Sequence, residues 1–273
     1  MEMQLFHYTD AAAVMSILAN QELWLTDFRY LNDAEEMKNG VEYLRIGLNN
    51  YQPNLLASWD HLEYAKDIVS DLFEKHVSFG IENHPLFVCS FSSARDRLSQ
   101  WRSYGNYAVE FDGEALGDVI GLSRCVYRHD EKVRHSSSAV GNCLSIISTE
   151  LEGNDGMLSE LALDTYAGLI KEALIFKHDA FYEEKEIRCV QTCDLQNLDV
   201  RYRARGDILI PYLPISVSRR FIKAIHVGPM KHQELACKSM EAFVRGIQDR
   251  NGFDMHFEDY ISVIPSLAPY RSL

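Results

Sequence analysis

Apolar positions recur along this chain with two periods, and the switches between them predict its elements. Met3 to Tyr8 is a short apolar run that predicts an opening strand. Thr9 or Asp10 then offers a side-chain oxygen to cap a helix with Ala11, Val14, Ile17 and Leu18 on its apolar side. Glu22 to Thr26 alternates and is rich in strand formers, so the chain returns to a sheet there. The spacing Asp33-Ala34-Glu35-Glu36 is that of a capping box, and it opens a helix carrying Met37, Val41, Leu44 and Leu48. Pro53 stops that helix, and a second follows with Leu56, Trp59, Leu62, Ile68, Val69 and Leu72 at three- and four-residue steps.

The middle of the chain changes character. Leu86 to Ser92 is a continuous apolar run behind Pro85, as expected of a strand covered on both faces. A short polar helix over Leu98 to Tyr104 leads through Gly105-Asn106 into a strand at Tyr107 to Phe111, and Ser123 to Arg128 reads as another. From about His129 to His178 the pattern is helical, broken near Gly153 to Gly156. Strands return at Glu186 to Thr192, Val200 to Ala204, Ile208 to Pro214 and Ile222 to Val227. A Gly228-Pro229 turn, a helix over Gln233 to Gln248 and a last strand at Ile261 to Ile264 complete the order. No repeat or Gly/Ser linker interrupts it, so residues 1–273 read as one α+β domain with a helical insertion at about 129–178.

Composition narrows the function classes. With 40 acidic against 27 basic side chains the chain carries a formal net charge of −13, which argues against indiscriminate binding to nucleic acid or to anionic lipid. The distribution is uneven. Nine acids face three bases within residues 1–60, whereas Arg201, Arg203, Arg205, Arg219, Arg220 and Lys223 meet only Asp207. The start lacks a basic, apolar leader, and no run reaches the ~18 apolar residues of a membrane span. The six cysteines show neither a Cys-x-x-Cys pair nor zinc-ligand spacing to histidine. The expectation is a soluble cytoplasmic protein with no metal, no disulfide framework and no membrane partner.

Candidate chemistry lies where polar residues interrupt strands. His7, Tyr8 and Thr9 end the first strand, Ser90 and Ser92 sit in the middle one, and Glu186 and Arg188 open a later one. Alternation places Glu186, Arg188 and Val190 on one face, where a carboxylate needs a partner: Arg188 in an internal ion pair, or a polar ligand. Arg201, Arg203 and Arg205 also alternate, and three like charges on one strand face suit either a charge-protected edge or an anion. There is no phosphate loop, dinucleotide glycine fingerprint, His-Glu-x-x-His or Gly-x-Ser-x-Gly.

Several segments together resemble a known family. They are Phe6-His7-Tyr8-Thr9, Ile17 through Trp24, Thr26 through Asp33, Val88 through Ser92, Leu98 through Gly105, Phe176-Lys177-His178, and Tyr182 through Arg188. In order, over nearly the whole chain, they look like a bacterial domain-of-unknown-function family. The opening is also similar to the ADP-ribosyltransferase superfamily. That resemblance implies a split β-sheet with flanking helices, holding NAD as co-substrate through three separated motifs. The implied positions are His7, a middle residue that is Ser90 or one of Ser92, Tyr30 and Tyr107, and Glu186.

The same resemblance implies the roles. Glu186 would accept a hydrogen bond from the nicotinamide ribose as positive charge develops there, and would orient or deprotonate the acceptor nucleophile. His7 would fix the dinucleotide, with Thr9 beside it. A ring among Tyr8, Tyr30, Trp101 and Tyr107 would stack on the nicotinamide, and Arg29 or Arg102 would pair with the pyrophosphate. Arg201, Arg203 and Arg205 would meet a nucleic-acid or protein acceptor. The implied setting is a toxin or phage-defence effector restrained by an antitoxin. Water as acceptor would make an NAD glycohydrolase, and the non-enzymatic counterpart is a nucleotide-binding module. Each residue also has a plainer role open to it: Trp101 as a core anchor, Ser90 bonded to backbone, His7 as a satisfied core histidine.

Overall fold

A computed structural model describes residues 3–31, 35–52, 59–79, 85–193, 199–250 and 260–269. The Asp33 cap, Pro53 and Leu56 lie outside the described residues. Strands β1 (Gln4–Thr9) and β2 (Glu22–Asp27) flank helix α1 (Ala11–Asn20), and α2 (Glu35–Asn50) and α3 (Trp59–Phe79) follow. The middle carries β3 (Leu86–Ser92), α4 (Leu98–Tyr104), β4 (Tyr107–Asp112), α5 (Gly113–Gly117) and β5 (Ser123–Arg124). Next come α6 (His129–Gly153), α7 (Glu160–Glu172), β6 (Glu186–Thr192), β7 (Arg201–Arg205) and β8 (Ile208–Ser216). β9 (Ile222–Val227), α8 (Gln233–Arg250) and β10 (Ser262–Pro265) end the order. The architecture is α+β: a large mixed sheet with helices against it.

The strand order β10-β9-β4-β1-β3-β2-β8-β7 contains one irregularity that makes the site. β6 pairs with β3 along its whole length, from Leu86↔Thr192 to Ser92↔Glu186. The opposite edge of β3 is shared. Ser92 there pairs with Phe6 of β1, whereas Phe87 and Val88 pair with Asp27 and Thr26 of β2. Between these contacts Cys89, Ser90 and Phe91 have no strand partner on that edge among the described residues, and the sheet forks. One arm runs outward through β1, β4, β9 and β10, the other through β2, β8 and β7.

Both faces of β3 are buried, which is why its sequence is a continuous apolar run. Phe87, Cys89 and Phe91 point into one core with Leu5, Leu23, Leu25, Val109 and Phe111, packed under α1 and α8. Leu86 and Val88 point into the other, built with α2, α3, α6 and α7. Phe87 and Phe91 are almost fully buried, worth about 2–3 kcal/mol each in area removed from water. The helical layer is larger than the 129–178 insertion expected from sequence, because α2 and α3 supply Met37, Val41, Leu62 and Val69 to the same core. The break near Gly153 to Gly156 separates α6 from α7.

The strand expected over Ser123 to Arg128 is shorter. After β5 the chain turns from β6 toward the segment following α7, where Val126 N–H donates to Ile175 O and Lys177 N–H donates to Val126 O. That parallel bridge, Val126↔Phe176, costs β5 its length and carries Lys177 back beside β6.

Candidate active site

The fork encloses a cavity of about 210 Å³. His7, Tyr8 and Thr9 line it from β1, Ser90 and Ser92 from β3, Glu186 from β6 and Arg203 from β7. Trp24 and Thr26 of β2, Gln100 and Tyr104 of α4, and Glu184 complete the polar and aromatic lining. Seven residues singled out in the sequence thus meet in one place. Arg29, Tyr30, Trp101, Arg102, Tyr107, Arg201 and Arg205 are not among the lining residues.

His7 substitutes for the missing ladder. Its Nδ1 lies 2.9 Å from the carbonyl of Ser90, on the unpaired edge of β3. A carbonyl only accepts, so Nδ1 carries the proton and Nε2 keeps its lone pair for a donor. Burial lowers the His7 pKa, outweighing the Ser90 bond that raises it, and keeps the ring neutral. Cys89 Sγ is 3.8 Å from the same Nδ1, yet burial drives its thiol pKa strongly upward. A protonated thiol beside a neutral imidazole is packing, not an activated nucleophile.

The two serines differ. Ser92 Oγ donates to Glu184 O at 2.6 Å and accepts from Ala94 N–H at 3.0 Å, which ties β3 to the turn before β6. Ser90 Oγ makes no hydrogen bond within the described residues and lines the cavity, so Ser90 has the middle-strand hydroxyl open to a ligand. Tyr8 donates its hydroxyl to Ala94 O at 2.9 Å and packs edge-on against Trp101 at 4.7 Å. Trp101 is buried, with Nε1 donating to Asp96 at 2.8 Å, and is a core anchor with no ring face left for nicotinamide. Arg29 spends its fork on buried Asp27, at 2.6 Å for the closest contact, instead of facing the cavity. Arg102 is exposed on α4, Tyr30 follows Arg29 in a 3-10 turn, and Tyr107 packs into the sheet core opposite Thr9.

Glu186 forms the ion pair that its spacing allowed, and more. Arg188 Nε donates to its Oε1 at 2.7 Å and Arg188 Nη2 to its Oε2 at 3.1 Å, while Lys177 Nζ reaches Oε2 at 2.5 Å. Lys177 also bonds Glu184 at 2.6 Å, and Arg188 pairs with Glu36 of α2 at 2.8 Å. Burial pushes the Glu186 pKa up, but the Arg188 and Lys177 charges outweigh it and hold the carboxyl at about 2. Two consequences follow. A carboxylate this acidic is a poor proton acceptor near neutral pH, so the role of deprotonating a nucleophile does not fit Glu186. Of its four lone-pair positions three are filled, leaving one on Oε1 for a ligand hydroxyl.

The arginine strand splits by position. Pairing with Tyr212, Ile210 and Ile208 of β8 sets Arg201, Arg203 and Arg205 on one face of the outermost strand. Arg201 is neutralised by Glu22, with both carboxylate oxygens at 3.1 Å. Arg205 is exposed, as a charged edge requires. Arg203 alone enters the cavity, where its Nη2 donates to Thr26 Oγ1 at 2.9 Å.

Sequence reasoning missed Trp24, Gln100, Tyr104, Lys177 and Glu184 as site residues. Trp24 and Thr26 alternate along β2 and their face was readable; which strand they would border was not. Lys177 had no local signal, because the Val126↔Phe176 bridge brings it to β6. Among the described residues no three His, Cys, Asp or Glu side chains cluster as metal ligands, and no helix is long and apolar enough to cross a membrane. Set against known proteins, the chain matches no family model, no curated protein and no solved structure.

Proposed function

We propose that the fork cavity binds NAD and that the protein is an NAD-dependent ADP-ribosyltransferase on an ADP-ribosyltransferase-like split sheet. The observation that carries this reading is the convergence of His7, Ser90 and Glu186, from three strands distant in sequence, on one cavity where the sheet forks. The cavity is smaller than the roughly 300–1,000 Å³ of drug-sized ligand pockets. It would enclose the nicotinamide riboside half and leave the rest of the dinucleotide at its mouth. Glu186 Oε1 would accept from a ribose hydroxyl, a bond that strengthens as the C–N bond breaks and the ribose becomes cationic. Nicotinamide leaves with the bonding pair, and the acceptor's oxygen or nitrogen closes on the ribose carbon while its proton passes to solvent. A toxin or phage-defence role, with a nucleic-acid or protein acceptor and an antitoxin, is the setting the resemblance suggests.

The ion pairs around Glu186 favour a second reading, a module on the same fold that binds a nucleotide without cleaving it. Nicotinamide release from NAD separates the two. Wild type is expected to release it, Glu186→Gln to slow release about a hundredfold, and His7→Ala to weaken NAD binding about tenfold. NAD bound but never cleaved, whatever acceptor is offered, would leave the module. Absence of NAD binding to the wild type would sink both.

A further inference from the structure

One wall of the cavity holds two donors without acceptors. Trp24 Nε1 is buried and has no hydrogen-bond partner among the described residues. An indole N–H can only donate, and a buried donor left alone is a cost that folded proteins rarely carry without a use. The ring cannot turn away from its position. It stacks on Tyr212 at 4.4 Å between centroids, and Trp24 pairs in the ladder with Pro214.

Arg203 stands beside it, its guanidinium carbon 5.8 Å from the centre of the Trp24 ring. The Thr26 hydroxyl holds one of its nitrogens, and its remaining N–H groups bond nothing within the described residues. No carboxylate pairs with it. Glu22 on the same wall belongs to Arg201, and Asp10 caps α1 through Ala13 N–H. Burial and the neighbouring Arg205 charge both press the Arg203 pKa down. A partly buried guanidinium facing a second one is stabilised by an anion.

We propose that Trp24 Nε1 and Arg203 form a preorganised anion subsite that takes a phosphate group of a sugar phosphate. The sugar follows from the opposite wall, where His7 Nε2 and the open position on Glu186 Oε1 accept from hydroxyls. Phosphate fits the donor side better than a planar carboxylate, because its oxygens diverge toward donors from two strands. The inference rests on the NAD reading only in naming the pyrophosphate as the natural occupant. The two donors would serve any phosphorylated ribose.

Calorimetric titration with ribose 5-phosphate, ribose and NAD tests it on wild type, Trp24→Phe and Arg203→Gln. Trp24→Phe keeps the ring against Tyr212 and deletes only the donor, so its unfolding temperature is expected to match wild type. Ribose 5-phosphate is expected to bind at least about tenfold more tightly than ribose, and each variant to lose about tenfold of that affinity. Ribose 5-phosphate that fails to bind wild type, or binds both variants as well as wild type, overturns the subsite even where NAD is bound and cleaved. Loss of ribose 5-phosphate affinity in the variants, with no NAD binding to wild type, keeps the subsite and removes the NAD reading.

Discussion

Replacing Arg188 with methionine is expected to cost about 3–5 kcal/mol of folding stability, readable as a lower midpoint in urea or thermal unfolding. The side chain is 4% exposed and joins three parts of the fold: Glu186 on its own strand, Glu36 from α2, and the carbonyl of Leu174 after α7. Removing it leaves two buried or nearly buried carboxylates with only Lys177 as counter-charge, and the methionine cannot satisfy the Leu174 oxygen. The pair itself need not be a large net gain over an apolar core; breaking one side of it is what is costly. A loss below 1 kcal/mol, by the ordinary exposed-pair standard, would contradict the enclosed network.

The same network sets an acid limb. Glu186 titrates at about 2 in the fold against an ordinary value of 4.5, so unfolding takes up a proton as pH falls through this range. Its contribution, on the order of 3 kcal/mol, is fully present above pH 4.5 and is lost as pH falls from there through about 2. Unfolding midpoints measured between pH 6 and pH 3 should therefore drop in wild type. In Arg188→Met the carboxyl is no longer held down, and that part of the drop should vanish. An equally steep acid limb in the variant would place the depression elsewhere.

Gly105→Ala is the second large effect, about 3 kcal/mol of destabilisation or more. Gly105 ends α4 at φ +132, which a residue with a Cβ rarely adopts, and that Cβ would stand 2.3 Å from the Thr9 carbonyl oxygen. The obstacle is backbone on both sides. Relief would require moving β1's end away from α4, and those two elements carry Thr9, Gln100 and Tyr104 on the cavity wall. Thermal melts should show the loss, together with weaker binding of whichever probe the cavity takes. Gly246→Ala in α8 is the control: nothing lies within 4 Å of its added Cβ, and helix propensity alone predicts a gain of up to about 1 kcal/mol. Comparable losses at both positions would remove the steric argument.

Much of this was legible in the chain. The apolar run Leu86 to Ser92, the short helix Leu98 to Tyr104 and the strand Glu186 to Thr192 occupy the expected residues, because each is specified by its own period and its flanking Pro or Gly. The shared face of Glu186 and Arg188 follows from strand alternation and became a direct ion pair. Other expectations depended on neighbours that no local period encodes. Trp101 and Arg29 have the right chemistry for a ligand and spend it on Asp96 and Asp27. Ser90 and Ser92 look alike in sequence; one is bonded to the turn before β6 and the other faces the opening.

The division has a physical cause. Hydrophobic period, capping residues and turn formers act over a few residues, so the sequence by itself determined the element order, the apolar faces and an α+β architecture. Which edge of β3 each strand would occupy depends on pairing between segments 80 or more residues apart, as between Phe6 and Ser92. Only the tertiary structure decided that β1 and β2 would share that edge. The resulting fork leaves the Ser90 carbonyl to His7, opens the cavity and brings Arg203 and the unpartnered Trp24 N–H to its wall.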